Sequence, residues 1–127
     1  MLERKEPTYP VNQILPLLKV YPKKGDCIDL EGDSININSL RLRLFAREGV
    51  SCVHCKVSGV FFAKERHRPD QPWHLNLYGY HQDGTEVLMT KDHVVPVSKG
   101  GGNKPANLQV LCARCNHLKG SRQEVPC

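Results

Sequence analysis

The sequence predicts a small α+β fold stapled by a metal, on three observations. Two Cys-x-x-Cys pairs, Cys52–Cys55 and Cys112–Cys115, offer the four thiolates of a tetrahedral site. Short runs alternate apolar with polar residues between glycine- and aspartate-containing turns, which is the pattern of strands. One stretch, from Ser39 to Gly49, has the boundary residues of a short helix. A chain of 127 residues suffices for one ordinary domain. With 39% hydrophobic residues and a single Trp its core is modest, and small folds with modest cores often need a staple.

In residues 1–24, Pro7, Pro10, Pro16 and Pro22 argue against a long helix, while Val11, Ile14, Leu15, Leu17 and Leu18 are too apolar for a free tail. An irregular proline-containing arm is expected there, with residues 25–127 forming a single domain. Cys27–Glu31 and Ser34–Asn38 alternate around Gly32-Asp33, a two-residue hairpin signal. Leu40, Leu42 and Leu44 fit a strand period as well, but Ser39 as N-cap and Gly49 past the end favour a short helix. Arg41, Arg43 and Arg47 on it either touch phosphates or form a solvated basic face.

A strand is expected through Val60, Phe61 and Phe62, and a loop over Arg66–Pro72. A half-buried strand should follow from Trp73 to Leu77, where Trp73, Leu75 and Leu77 alternate with His74 and Asn76. Asp83-Gly84 marks a tight turn, and Thr85–Thr90 returns as a strand leading into Asp92-His93. Pro96 ends that run, because it cannot donate to a ladder.

The net charge of +5 and pI near 9.0 suit an anionic partner. No apolar run has membrane-spanning length, and the charged start, Met1 to Glu6, is not followed by a signal-peptide core. A cytoplasmic location is therefore expected, the host cytoplasm for a phage-encoded chain. Thiols there stay reduced, so the six cysteines point to structural zinc rather than disulfides. A redox Cys-x-x-Cys is the rival reading, and two such pairs in one small chain argue against it. His54 and His117 lie beside the cysteines and could substitute as ligands, though a full thiolate set makes them unnecessary. Cys27 and Cys127 read as incidental.

Thr90 to Arg122 is the most informative stretch. It contains Asp92-His93, the glycines Gly100-Gly101-Gly102, Asn107, the second cysteine pair, and Asn116 directly after Cys115. Taken with Cys52-Val-His-Cys55, it resembles the HNH endonuclease family. The resemblance implies a ββα-metal core over residues 88–122: a two-stranded hairpin and a helix clasping one catalytic metal ion, here with a four-cysteine zinc site. It fits the long interval between the cysteine pairs, which exceeds zinc-ribbon spacing and would hold the hairpin. It also implies His93 as the general base that activates water, with Asp92 and Asn116 as ligands of Mg²⁺ or another divalent cation. The residue types suit those tasks. An imidazole takes a proton near neutral pH, and carboxylate and amide oxygens suit a hard cation.

The family often has His directly after the last cysteine; Asn116 there makes this chain an H-N-N variant. His117, one residue along, is rotated by about 100° on a helix and so turned from the metal side. Asn107 should tie the Ser98–Ala106 loop to the hairpin and fix the His93 backbone. Arg114, Lys119 and Arg122 should meet the DNA backbone. Neighbours on a regular strand face opposite ways, so a bulge or the strand's end must bring Asp92 and His93 into one site.

The leading expectation is thus a metal-dependent endonuclease acting on DNA. A zinc-binding module that binds nucleic acid or protein without cutting is one alternative, and a nuclease for RNA is the other. A lone site nicks, so cutting both strands would call for a homodimer or larger assembly.

Overall fold

The computed structural model describes residues 2–20, 23 and 25–120. Its main body is an antiparallel five-stranded sheet. The strands are β1 (Glu3–Pro10), β4 (Gly59–Arg66), β5 (His74–Tyr80), β6 (Glu86–His93) and β7 (Leu108–Cys112), side by side in that order. A separate hairpin pairs β2 (Cys27–Leu30) with β3 (Asp33–Asn36). The helices are α1 (Val11–Val20), α2 (Leu40–Glu48) and α3 (Ala113–Lys119). The α+β class is as expected, and β6, β7 and α3 form the hairpin-plus-helix unit at one side of the sheet.

The N-terminal segment corrects the sequence reading. Over its described part, residues 1–24 form β1 and α1 instead of an irregular arm; Pro22 lies outside the described residues. β1 pairs with β4, and its register shifts between Lys5 and Tyr9, where Pro7 has no N–H to offer. Helix α1 contains Pro16, at the expense of a backbone hydrogen bond. Ile14 and Leu18 bury their side chains against α2 and β4 and offset that loss.

The β2–β3 turn falls one residue earlier than expected. Leu30 faces Asp33, and Glu31 and Gly32 occupy the turn with φ of 54° and 86°. Two successive positive φ values match the right-handed strand twist, and Glu31 accepts the strain. This frees Asp33, whose carboxylate takes the buried Lys64 ammonium at 2.7 Å.

Helix α2 starts as its sequence indicates: the Ser39 hydroxyl accepts the Leu42 N–H at 3.1 Å, and Gly49 closes it with φ 95°. Leu42, Leu44 and Phe45 point into the core, where Phe45 meets Phe62 edge to face.

Strand β4 runs past Phe62 to Arg66, because Lys64 and Glu65 are buried with partners. Glu65 binds Arg4 (2.7 Å), Asn76 (2.7 Å) and the Tyr78 hydroxyl. Strand β5 is buried on both faces rather than half-buried, with Asn76 and Tyr78 inside as well as Leu75 and Leu77. Burial and the Glu65 carboxylate push the Tyr78 phenol up to about 12. Arg41 also turns inward, donating to Leu75 O (3.0 Å) and Asn76 Oδ1 (2.7 Å); of the three α2 arginines it is the one withdrawn from phosphates.

Candidate active site and metal centre

The first cysteine knuckle is a tight turn between β-bridged Ser51 and Ser58. Cys52 N–H donates to Val57 O at 2.9 Å, and Lys56 N–H to Cys52 O at 3.1 Å, with Lys56 left-handed at φ 69°. Val53 N–H donates to Val110 O at 3.0 Å and ties this turn to β7. The second knuckle is the junction of β7 with α3. Cys112 is the helix N-cap, and its sulfur accepts the Cys115 N–H at 3.4 Å. One hydrogen bond between knuckle and strand therefore spans the long sequence gap.

The sulfurs of Cys52, Cys55, Cys112 and Cys115 all lie within 4.8 Å of one another, and none is in a disulfide. A tetrahedral Zn–S distance of about 2.3 Å places sulfurs roughly 3.8 Å apart. Cys55 Sγ and Cys112 Sγ are 3.7 Å apart. The donor set and spacing fit a closed zinc site, and Cys52, Cys112 and Cys115 are buried. Burial raises the Cys52 thiol, but backbone hydrogen bonds at Cys112, Cys55 and His54 outweigh it and hold the group down to about 7. At Cys112 burial wins and pushes the thiol up.

Strand β6 ends on His93. Its pairing with β7 runs without a break from Met89–Cys112 to His93–Leu108, so no bulge re-aims a side chain. Asp92 and His93 diverge as regular strand neighbours do, and the strand's end brings both to one cleft. That cleft, about 310 Å³, is lined by Asp92, His93, Ser98, Asn116 and Lys119 among others. Asp92 is buried; its Oδ2 accepts Gln109 Nε2 at 2.9 Å and Lys119 Nζ at 2.6 Å. The His93 ring is held through Nε2, 2.7 Å from Asn103 Oδ1. Asn116 donates its amide nitrogen to Thr90 Oγ1 at 2.8 Å, which leaves its oxygen as the ligand-capable group.

Asn107 sits at the foot of β7. Its side chain accepts the Val95 N–H (2.8 Å) and donates to Val95 O (3.1 Å) and Gly102 O (2.8 Å), while its own carbonyl accepts the Val94 N–H (2.8 Å). The segment directly after His93 is thereby clamped to the far end of the loop. The three loop glycines differ in what they do. Gly100 is left-handed at φ 91°, whereas a Cβ on Gly101 would lie 1.7 Å from Val95 O, and one on Gly102 would meet nothing within 4 Å.

The basic residues expected at the DNA backbone separate. Lys119 is buried and corrects that expectation: besides Asp92 it donates to His93 O at 2.7 Å, so its ammonium fixes the strand end. Arg114 is exposed but lines a groove with Cys55, Lys56, Tyr80 and His81, on the knuckle side of α3. Arg122 lies outside the described residues, as does Cys127. His117 is exposed, and neither it nor His54 belongs to the sulfur cluster. Sequence reasoning missed Asn103, Gln109 and Thr90. Thr90 had a signal, two residues before Asp92 on the same strand face. Gln109 required the β6–β7 register, and Asn103 had none.

No described helix is long and apolar enough to cross a membrane. Neither a curated protein nor a solved structure matches the chain. A family model described as HNH endonuclease matches residues 81–126, which span β6, the clamped loop, β7 and α3. That segment, which the four-cysteine cluster joins to the first knuckle, is similar to the HNH endonuclease family.

Proposed function

We propose that the protein is a metal-dependent endonuclease that hydrolyses DNA phosphodiester bonds in the cleft at the end of β6. The observation behind this reading is that Asp92 and His93, at the end of β6, and Asn116, on α3, line one cleft. His93 is the general base. With Nε2 donating to Asn103, the lone pair on Nδ1 is the one left to accept a proton from the attacking water. As the water oxygen bonds to phosphorus, the bond to the leaving oxygen breaks, and that oxygen takes up a proton. Asp92 and Asn116 supply the oxygens suited to Mg²⁺ or a similar hard cation. When bound, such an ion neutralises charge on the phosphate and leaving oxygen. Zinc in the four-thiolate site has no open position and serves the fold alone.

Within this reading the remaining residues position the reacting groups. Lys119 orients Asp92 and braces the His93 carbonyl, and Asn107 fixes the chain that follows. The same Lys119 contact favours a second reading, a zinc-stapled module that binds nucleic acid without cutting it, because an ammonium already balances Asp92. One experiment separates the two. Supercoiled plasmid is incubated with zinc-loaded protein and Mg²⁺, beside His93→Ala. Conversion to nicked or linear DNA by the parent and not the variant supports the nuclease. Binding without conversion supports the module.

A further inference from the structure

Outside the matched segment, α2 borders the clamped loop through a small groove of about 170 Å³, lined by Leu40, Arg43, Arg47, Asn103, Pro105 and Leu108. The spacing of Leu40, Arg43 and Arg47 places them on one helix face. Arg43 is exposed, and its side chain has no hydrogen-bond or ion-pair partner among the described residues. Arg47 pairs with its exposed neighbour Glu48 at 3.0 Å and reaches across to Pro105 O at 3.4 Å. Leu40, Pro105 and Leu108 line the groove beside the guanidinium groups. Asn103 is shared: it walls this groove and holds the His93 ring at 2.7 Å. An anion in the groove therefore lies one side chain away from the base.

We infer that Arg43 and Arg47, with Asn103, form a phosphate subsite that takes a DNA backbone phosphate flanking the scissile one. Two forked guanidiniums four residues apart match the bidentate geometry of a phosphate group, which a lone lysine would not. The subsite extends the strand's path from the β6–β7–α3 cleft onto α2, so substrate positioning draws on a helix the family match does not include. Asn103 links the two, since a phosphate held beside it restrains the loop that orients His93. The inference rests on the DNA-cleaving reading above.

The test measures binding of a labelled DNA duplex over a range of salt concentrations, with Ca²⁺ in place of Mg²⁺, for the zinc-loaded parent, Arg43→Gln, Arg47→Gln and the double variant. Plasmid cleavage is assayed in parallel. Each lost phosphate contact should flatten the plot of log affinity against log salt by about 0.9. Both arginines hold the same phosphate, so the double variant should lose about 0.9 of slope, with an unchanged melting temperature because both side chains are at the surface. Lys19→Gln, an exposed α1 lysine outside the groove, removes a positive charge and should leave the slope unaltered. An unchanged slope in the double variant, with a parent that binds and cuts, overturns the subsite alone. A slope lost equally in Lys19→Gln assigns the effect to net charge and also overturns it. A parent that neither binds nor cuts overturns the nuclease reading together with the subsite.

Discussion

Lys119 Nζ lies 2.6 Å from Asp92 Oδ2, and both residues are buried. A lysine in the last turn of α3 thus pins the penultimate residue of β6, closing the hairpin-plus-helix unit at the cleft. Removing one partner of a buried pair leaves an uncompensated charge, at about 3–5 kcal/mol. Lys119→Ala should accordingly destabilise the fold by that amount, read as a lower denaturation midpoint in urea. A phosphate-contacting lysine behaves oppositely: its loss lowers DNA affinity and the salt slope but not stability. A stable Lys119→Ala protein with a flattened salt slope would restore the contact role that the structure withdraws.

The zinc prediction concerns folding. The four sulfurs converge only because Val53 is bonded to Val110 and Cys112 caps α3, so an unfolded chain has no such site. Metal affinity then becomes folding free energy, on the order of 10 kcal/mol for structural zinc. A chelator strong enough to strip the ion should melt the domain cooperatively, at one zinc per chain. Acid should do the same, by a definite sign. Zinc binds the deprotonated sulfurs, so protons compete with the ion for all four ligands. Zinc release followed by absorbance against pH should therefore rise towards acid. A domain that keeps its melting temperature when shown to be metal-free rules this account out.

Gly101 gives a sharper contrast. Gly100 needs its left-handed backbone, Gly101 needs the absence of a side chain, and Gly102 needs neither. Gly101→Ala would drive a Cβ into the Val95 carbonyl, the group that Asn107 also grips, and should unseat the clamp after His93. Cleavage should fall sharply, while the zinc site, on the far side of the hairpin unit, should stay loaded. Gly102→Ala should match the parent. Equal activity of the two variants would show that the loop tolerates rearrangement and that the clamp matters little.

What the sequence made legible was local. Ser39 and Gly49 bound α2 because capping chemistry acts within one turn, and the cysteine pairs announce a knuckle by their spacing alone. Asp92, His93, Asn107 and Asn116 stand in one short stretch and could be read together. What was not legible depended on partners far along the chain. Lys64 and Glu65 look like the end of a strand until Asp33 and Arg4 neutralise them, 31 and 61 residues away. The strand nature of β1 is visible only once β4 lies beside it. Lys119 read as a surface charge for the same reason: its acceptors are 25 to 27 residues upstream, brought under α3 by the hairpin.

His93 and Asn116 should respond differently to substitution, and this is the most demanding prediction. His93→Ala removes the proposed proton acceptor but leaves Asp92, Gln109, Lys119 and Asn116 in place. DNA binding should survive while the cleavage rate falls by roughly 10²–10⁴-fold, the usual worth of general-base catalysis. Asn116→Ala removes the oxygen proposed to face the metal and also the donor to Thr90, so its defect should be partly recovered at high Mg²⁺. Asn116→Asp should retain activity in part, because a carboxylate suits a hard cation, although it cannot donate to Thr90 as the amide does. His117 is exposed one residue along α3, and His117→Ala should be nearly silent. The measurement is cleavage rate against Mg²⁺ concentration for the four variants. Loss of cutting in His117→Ala with retention in Asn116→Ala would shift the metal-facing position of α3 by one residue and invalidate the roles argued above.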